Sequence, residues 1–181
     1  MPRQEMITKE MLLSGAFELL NKDGEREITA RRLSAYIGCS TQPIFRNYKG
    51  MEELLKDVYA KALDYYEEYY ASFVPRDNTP FVNMGLAYIL FAAQNKFLFE
   101  FLFMSETRNG KSLYEILNGK NQNIKTEFKK ATEAGCHNPE ELFMKMWIFI
   151  HGAATMSLTD DYDLDENATL QLLRDAYRKF S

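Results

Sequence analysis

ITARRLSAYIGCSTQPIFRNYKGMEELL, running from Ile28 to Leu55, decides how the rest of the chain is read. Thr29 is a helix-capping residue, and Leu33, Tyr36 and Ile37 follow at the spacing of one helical face, pointing inward. Gly38 ends that short helix and opens a tight turn. Ser40 caps the next helix, about Thr41 to Asn47, in which Pro43 is tolerated because it falls in the first turn. Ile44 and Phe45 are expected to face inward. Tyr48, Lys49 and Gly50 break the chain before a long helix starts at Met51. Two short helices joined by a tight turn have the geometry of a helix-turn-helix.

Outward from this stretch, helical periodicity dominates and no run alternates as a strand would. Thr8 caps a first helix that ends near Asn21, its apolar positions Met11, Leu12, Ala16, Leu19 and Leu20 recurring at three- and four-residue spacing, and Asn21 to Gly24 stop it. The long helix runs from Met51 to about Phe73. Pro75 to Pro80 reads as a linker. Further helices are expected at about 81–94, 96–105, 112–134, 140–159 and 166–180. The fold class is all-α: an N-terminal three-helix domain, residues 1–50, followed by a helical domain, residues 51–181.

Composition narrows the function. With 46% hydrophobic and 27% charged residues among 181, the chain is an ordinary globular protein. No apolar run has the length of a membrane span, and no export signal is expected at the N-terminus, so a cytoplasmic protein that does not engage a membrane is expected. Cys39 and Cys136 lie far apart and read as reduced thiols, not metal ligands or a disulfide. No cofactor motif, phosphate loop, nucleophile elbow or metal cluster is present, which argues against an enzyme and against a bound cofactor. The net charge is −4, yet Arg26 to Lys49 hold five basic residues and one acidic. A basic segment on an acidic body suits a protein that touches DNA at one end.

The residue types around the turn suit that task. Residues at the start of a recognition helix reach base edges in the major groove. Thr41 and Gln42 can hydrogen-bond there, Pro43 offers an apolar edge to a thymine methyl, and Arg46 reaches a guanine or a phosphate. Thr29 and Lys49 are placed for backbone phosphates. The expected DNA-facing set is Thr29, Arg31, Ser40, Thr41, Gln42, Pro43, Arg46, Tyr48 and Lys49.

Ile28 to Leu55 resembles the DNA-binding domain of the TetR family of regulators. The resemblance rests on the Thr-capped second helix, the turn at Gly38, Ser40 at the recognition helix, the aromatics Phe45 and Tyr48, and Glu52, Glu53 and Leu54 opening the fourth helix. It covers roughly the first third of the chain. Phe45 and Met51 depart from the family's usual Tyr and Lys, leaving Lys49 and the Tyr48 hydroxyl as substitutes for phosphate contact. In MWIFIHGAATM, the residues Trp147, His151 and Gly152 are similar to a Trp…His-Gly pattern of some members. The resemblance implies a homodimeric repressor on a palindromic double-stranded DNA operator, released by a small-molecule effector. The alternative is a helical protein-interaction module that does not bind DNA.

In the larger domain, Tyr88, Phe91, Phe99, Phe103, Tyr114, Trp147 and His151 are the candidates for an effector pocket, because such pockets are apolar with few polar groups. Gly152, Ala153 and Ala154 permit close helix approach, and the last helix carries an apolar stripe. Trp147, His151, Ala154, Thr155, Leu172, Leu173 and Tyr177 are the candidates for a dimer interface.

Overall fold

The computed structural model describes residues 7–105 and 108–181, which form helices and connecting turns and contain no strand. The helices are α1 (Lys9–Asp23), α2 (Ala30–Ile37), α3 (Gln42–Asn47), α4 (Met51–Ser72), α5 (Val82–Gln94), α6 (Lys96–Phe99), α7 (Leu113–Asn118), α8 (Asn123–Glu133), α9 (Pro139–Met156) and α10 (Glu166–Phe180). Their ends follow local chemistry. Side chains of Thr8, Thr29, Ser112, Asn138 and Asp165 accept hydrogen bonds from the first-turn amides of α1, α2, α7, α9 and α10. No single helix among the described residues is long and apolar enough to cross a membrane.

Two compact units emerge: one from the described residues of Met1–Tyr65 with Phe97–Gly110, the other from Tyr66–Lys96 with Lys111–Ser181. The first unit therefore includes the first part of α4 and a later segment, which the expected boundary at residue 50 left out. Its core holds Leu12, Leu20, Leu33, Ile44, Leu54 and Val58, all without solvent exposure. α2 sits close on α1 because Gly15 has no side chain: a Cβ there would lie 2.9 Å from Ile37 Cγ1. The later segment packs on α4 through Tyr59, whose ring meets Phe101 at 5.5 Å between centroids.

The second unit is built around α5. Val82, Met84, Leu86, Ala87, Tyr88, Ile89, Phe91 and Ala92 are all buried, so this helix is apolar on every face, as a central helix must be. α9 and α10 pack on it, and α8 packs on α7 and α9. The helix expected at 112–134 is two helices. Gly119 (φ 54) and Gln122 (φ 52) are left-handed and bracket the break, in a polar run that offers no apolar stripe to hold a continuous helix. The helix expected at 96–105 is one α-turn followed by a wider π-turn, Glu100–Met104.

The Pro75–Pro80 stretch is a pinned corner. Asn83 Oδ1 accepts from the amides of Arg76 (2.8 Å) and Asp77 (3.1 Å). Asp77 accepts from the Thr79 amide at 2.6 Å and pairs with Arg174 of α10. Burial opposes its charge, but the Thr79 bonds and the Arg174 guanidinium prevail and hold the carboxyl below its ordinary value. A depressed carboxylate adds stability above its unfolded pKa and loses it as pH falls through the folded value. Asp77→Asn is expected to destabilise the protein by about 1–2 kcal/mol at neutral pH, discounted because Arg174 is partly exposed. In chemical denaturation the deficit should disappear once the pH is low enough to protonate Asp77 in the parent.

Candidate nucleic-acid interface

The start of α2 is set by Thr29, whose Oγ1 accepts from the Arg32 amide at 3.2 Å. Its end is set by Gly38, which is left-handed (φ 78, ψ 34). That conformation lets the Cys39 amide reach back to the Ser34 carbonyl at 2.9 Å, closing the helix and turning the chain. A Cβ at position 38 would meet no atom, so the demand for glycine there is conformational.

α3 is short, and its orientation comes from two anchors. Ile44 is fully buried and Tyr48, four residues on, is 2% exposed. Asn47 closes the helix by donating to the Pro43 carbonyl at 2.8 Å, and Glu53 takes the Lys49 amide at 2.7 Å where α4 begins. With Ile44 and Tyr48 inward, Thr41, Gln42, Phe45, Arg46 and Lys49 are exposed, while Pro43 is half-buried. Thr29, Arg31 and Ser40 are exposed as well. Among the described residues Arg31, Arg46 and Lys49 form no ion pair, whereas Arg32 is neutralised by Asp23 (2.8 Å) and Glu27 (3.2 Å).

Four expectations are corrected here. Phe45 and Tyr36 point outward, 55% and 47% exposed, because Ile44 and Leu33 already fill the inner positions and neither helix is long enough to bury a second aromatic beside them. Tyr36 instead donates to Glu18 at 2.7 Å. Ser40 does not cap α3; Thr41 occupies that place, in right-handed helical conformation and without a side-chain cap bond. Tyr48 is not on the outward face. Its ring lies under the Lys9 ammonium, 4.7 Å from ring centroid to Nζ. Its hydroxyl is pushed up to about 12, by burial first and by the Asp57 charge second. Lys9 is itself held by Asp57 at 2.8 Å, so Tyr48 works as an anchor between the starts of α1 and α4.

The effector candidates divide. Tyr88, Trp147 and His151 converge in the second unit: Tyr88 and Trp147 rings stand 4.7 Å apart, and the Tyr88 hydroxyl lies 3.0 Å from His151 Nδ1. Phe91, in the same unit, packs against Tyr66 and Tyr69. Phe99 and Phe103 pack on each other at 5.0 Å and belong to the first unit. Tyr114 is exposed on α7. Of the dimer candidates, Ala154 and Leu173 are completely buried and Trp147 nearly so; they pack inside the protomer and offer nothing to a partner. His151, Thr155, Leu172 and Tyr177 keep part of their surface. Beside them Met144, Ile148, Gly152 and Met156 form an exposed row along α9, four residues apart. Ile148, Gly152, Met156, Leu164 and Leu172 line a groove of about 630 Å³. The i, i+4 repeat of that row was visible in the sequence but was overshadowed by the stronger core stripe beside it.

No family model matches the chain, and no curated protein matches it. A solved structure from Vibrio parahaemolyticus, described as a TetR family transcriptional regulator, is similar over 94% of this chain and 96% of that one, with a TM-score of 0.68 and 17% identity. At that identity the likeness is one of fold: the chain is similar to a TetR-family structure from end to end, well beyond the N-terminal stretch that carries the sequence resemblance.

His151 gives this region a pH dependence. Burial lowers its pKa from the ordinary 6.5. The unfolded chain takes up a proton at His151 as pH falls through about 6.5, while the folded chain resists it, so stability is full above that pH and declines below it. Thermal denaturation between pH 8 and 5 should show the parent losing stability more steeply than His151→Gln on the acid side.

Proposed function

We propose that this chain is a DNA-binding transcriptional regulator, a homodimeric repressor that a small-molecule effector releases from a palindromic operator. The observation that carries the reading is the register of α3. Its buried anchors, Ile44 and Tyr48, turn Thr41, Gln42, Arg46 and Lys49 outward together. A helix presented this way enters the major groove with its polar row against base edges. Arg46 takes a guanine or a phosphate; Thr29, Arg31 and Lys49 take phosphates on the flanks, fixing the protein on the duplex. The end-to-end likeness to a TetR-family structure supports the same reading. Burial of Thr41, Gln42 and Arg46 would have favoured the alternative, a protein-interaction module without DNA binding; all three are exposed.

The dimer reading rests on the exposed row on α9. Met144 and Ile148 are 54% and 67% exposed, and with Met156 they make a stripe that water disfavours. A second copy using the same stripe under two-fold symmetry would pair two α3 helices for two half-sites. The effector reading rests on Tyr88, Trp147 and His151, where aromatic surface meets a polar tip. A ligand that prefers one spacing of the two recognition helices would couple this cluster to the operator.

The test is a mobility-shift titration of the full chain against duplex DNA from its upstream region, at two salt concentrations. Specific binding that weakens steeply with salt is expected. Arg46→Ala should weaken it by about 1–3 kcal/mol, with an unchanged circular dichroism spectrum. Unchanged affinity in a folded Arg46→Ala protein would overturn this docking of α3.

A further inference from the structure

The chain contains thirteen phenylalanines, and Phe45 is the one whose surface is exposed. The others are buried or half-buried, several in ring-on-ring pairs such as Phe99–Phe103 and Phe81–Phe143. A single exposed apolar side chain is unremarkable on a protein surface. Phe45, however, lies on the outward face of α3, exposed together with Gln42 and Arg46 of the same helix and with Thr41 at its start. Fold stability gives no reason for a phenyl ring there, because Ile44 and Tyr48 already supply the inward contacts of this helix.

A phenyl ring has no donor or acceptor, so it cannot read a base through hydrogen bonds or hold a phosphate. On the floor of the major groove, the apolar group it can recognise is the C5 methyl of thymine. We infer that Phe45 is a specificity-determining residue that reads a thymine methyl in each half-site, next to the bases approached by Gln42 and Arg46. The inference rests on the DNA-binding reading and extends it from backbone and hydrogen-bond contacts to an apolar contact.

The experiment uses duplexes selected from a randomised pool by the full chain. In the recovered site each thymine is replaced in turn by uracil, which removes the methyl and leaves the base pair intact. Wild-type affinity should fall about three- to fivefold at one thymine per half-site, the effect of one buried methyl. Phe45→Ala should bind the thymine duplex about tenfold more weakly and lose that uracil penalty, so that thymine and uracil duplexes bind it alike. Circular dichroism checks that the variant is folded, and the uracil scan of the wild type needs no variant. A wild type indifferent to uracil at every position overturns the inference. So does a uracil penalty that persists in Phe45→Ala, which assigns the methyl to another residue, Pro43 foremost. Both outcomes leave DNA binding standing. Failure to recover any duplex overturns the DNA-binding reading itself, and this inference with it.

Discussion

Ile44 lies on the inward side of a helix too short to stand alone, Tyr48 follows at its C-terminal end in extended conformation, and the burial of both decides what α3 can present. Isolated helices of this length do not persist in water, so α3 owes its existence to tertiary contact. Ile44 supplies the apolar anchor. Tyr48 supplies a second one and ties it to the frame, with Lys9 over its ring and Asp57 beside its hydroxyl. Two fixed points set both rotation and tilt. The polar row, the exposed Arg46 and the exposed Phe45 are consequences of that constraint.

The helix boundaries were legible because capping chemistry is local. Thr8 and Thr29 read as caps in the sequence and cap α1 and α2 in the structure, whereas Ser40 reads as a cap and does not cap α3. Faces were less legible than boundaries. α2 and α3 have too few turns for periodicity to separate an inward aromatic from an outward one, so Tyr36 and Phe45 read as core until Leu33 and Ile44 were seen to fill it. The break between α7 and α8 was hidden for a different reason. Gln122 adopts a left-handed conformation that its residue type does not advertise.

Long-range pairing lay beyond sequence reading. Arg32 looks like part of the basic segment, yet Asp23 and Glu27 consume its charge, leaving Arg26, Arg31, Arg46 and Lys49 as the exposed cations of that segment. The aromatic residues of the larger domain look like one population, but Phe99 and Phe103 fall in the first compact unit while Tyr88, Trp147 and His151 gather in the second. On α9 two stripes run side by side. One packs on the core, and the other, Met144 to Met156, stays exposed and gives the proposed dimer its surface. The sequence shows that both stripes are apolar; burial alone says which one is spare.

The central claim is that the outward face of α3 lies in the major groove. Methylation interference on the bound duplex tests it most directly, since dimethyl sulfate marks guanine N7 in the major groove and adenine N3 in the minor groove. The account predicts that N7 methylation blocks binding at guanines in two symmetric half-sites, while N3 methylation within those half-sites is tolerated. Interference confined to adenine N3, or none at any purine of a specifically bound duplex, would contradict it.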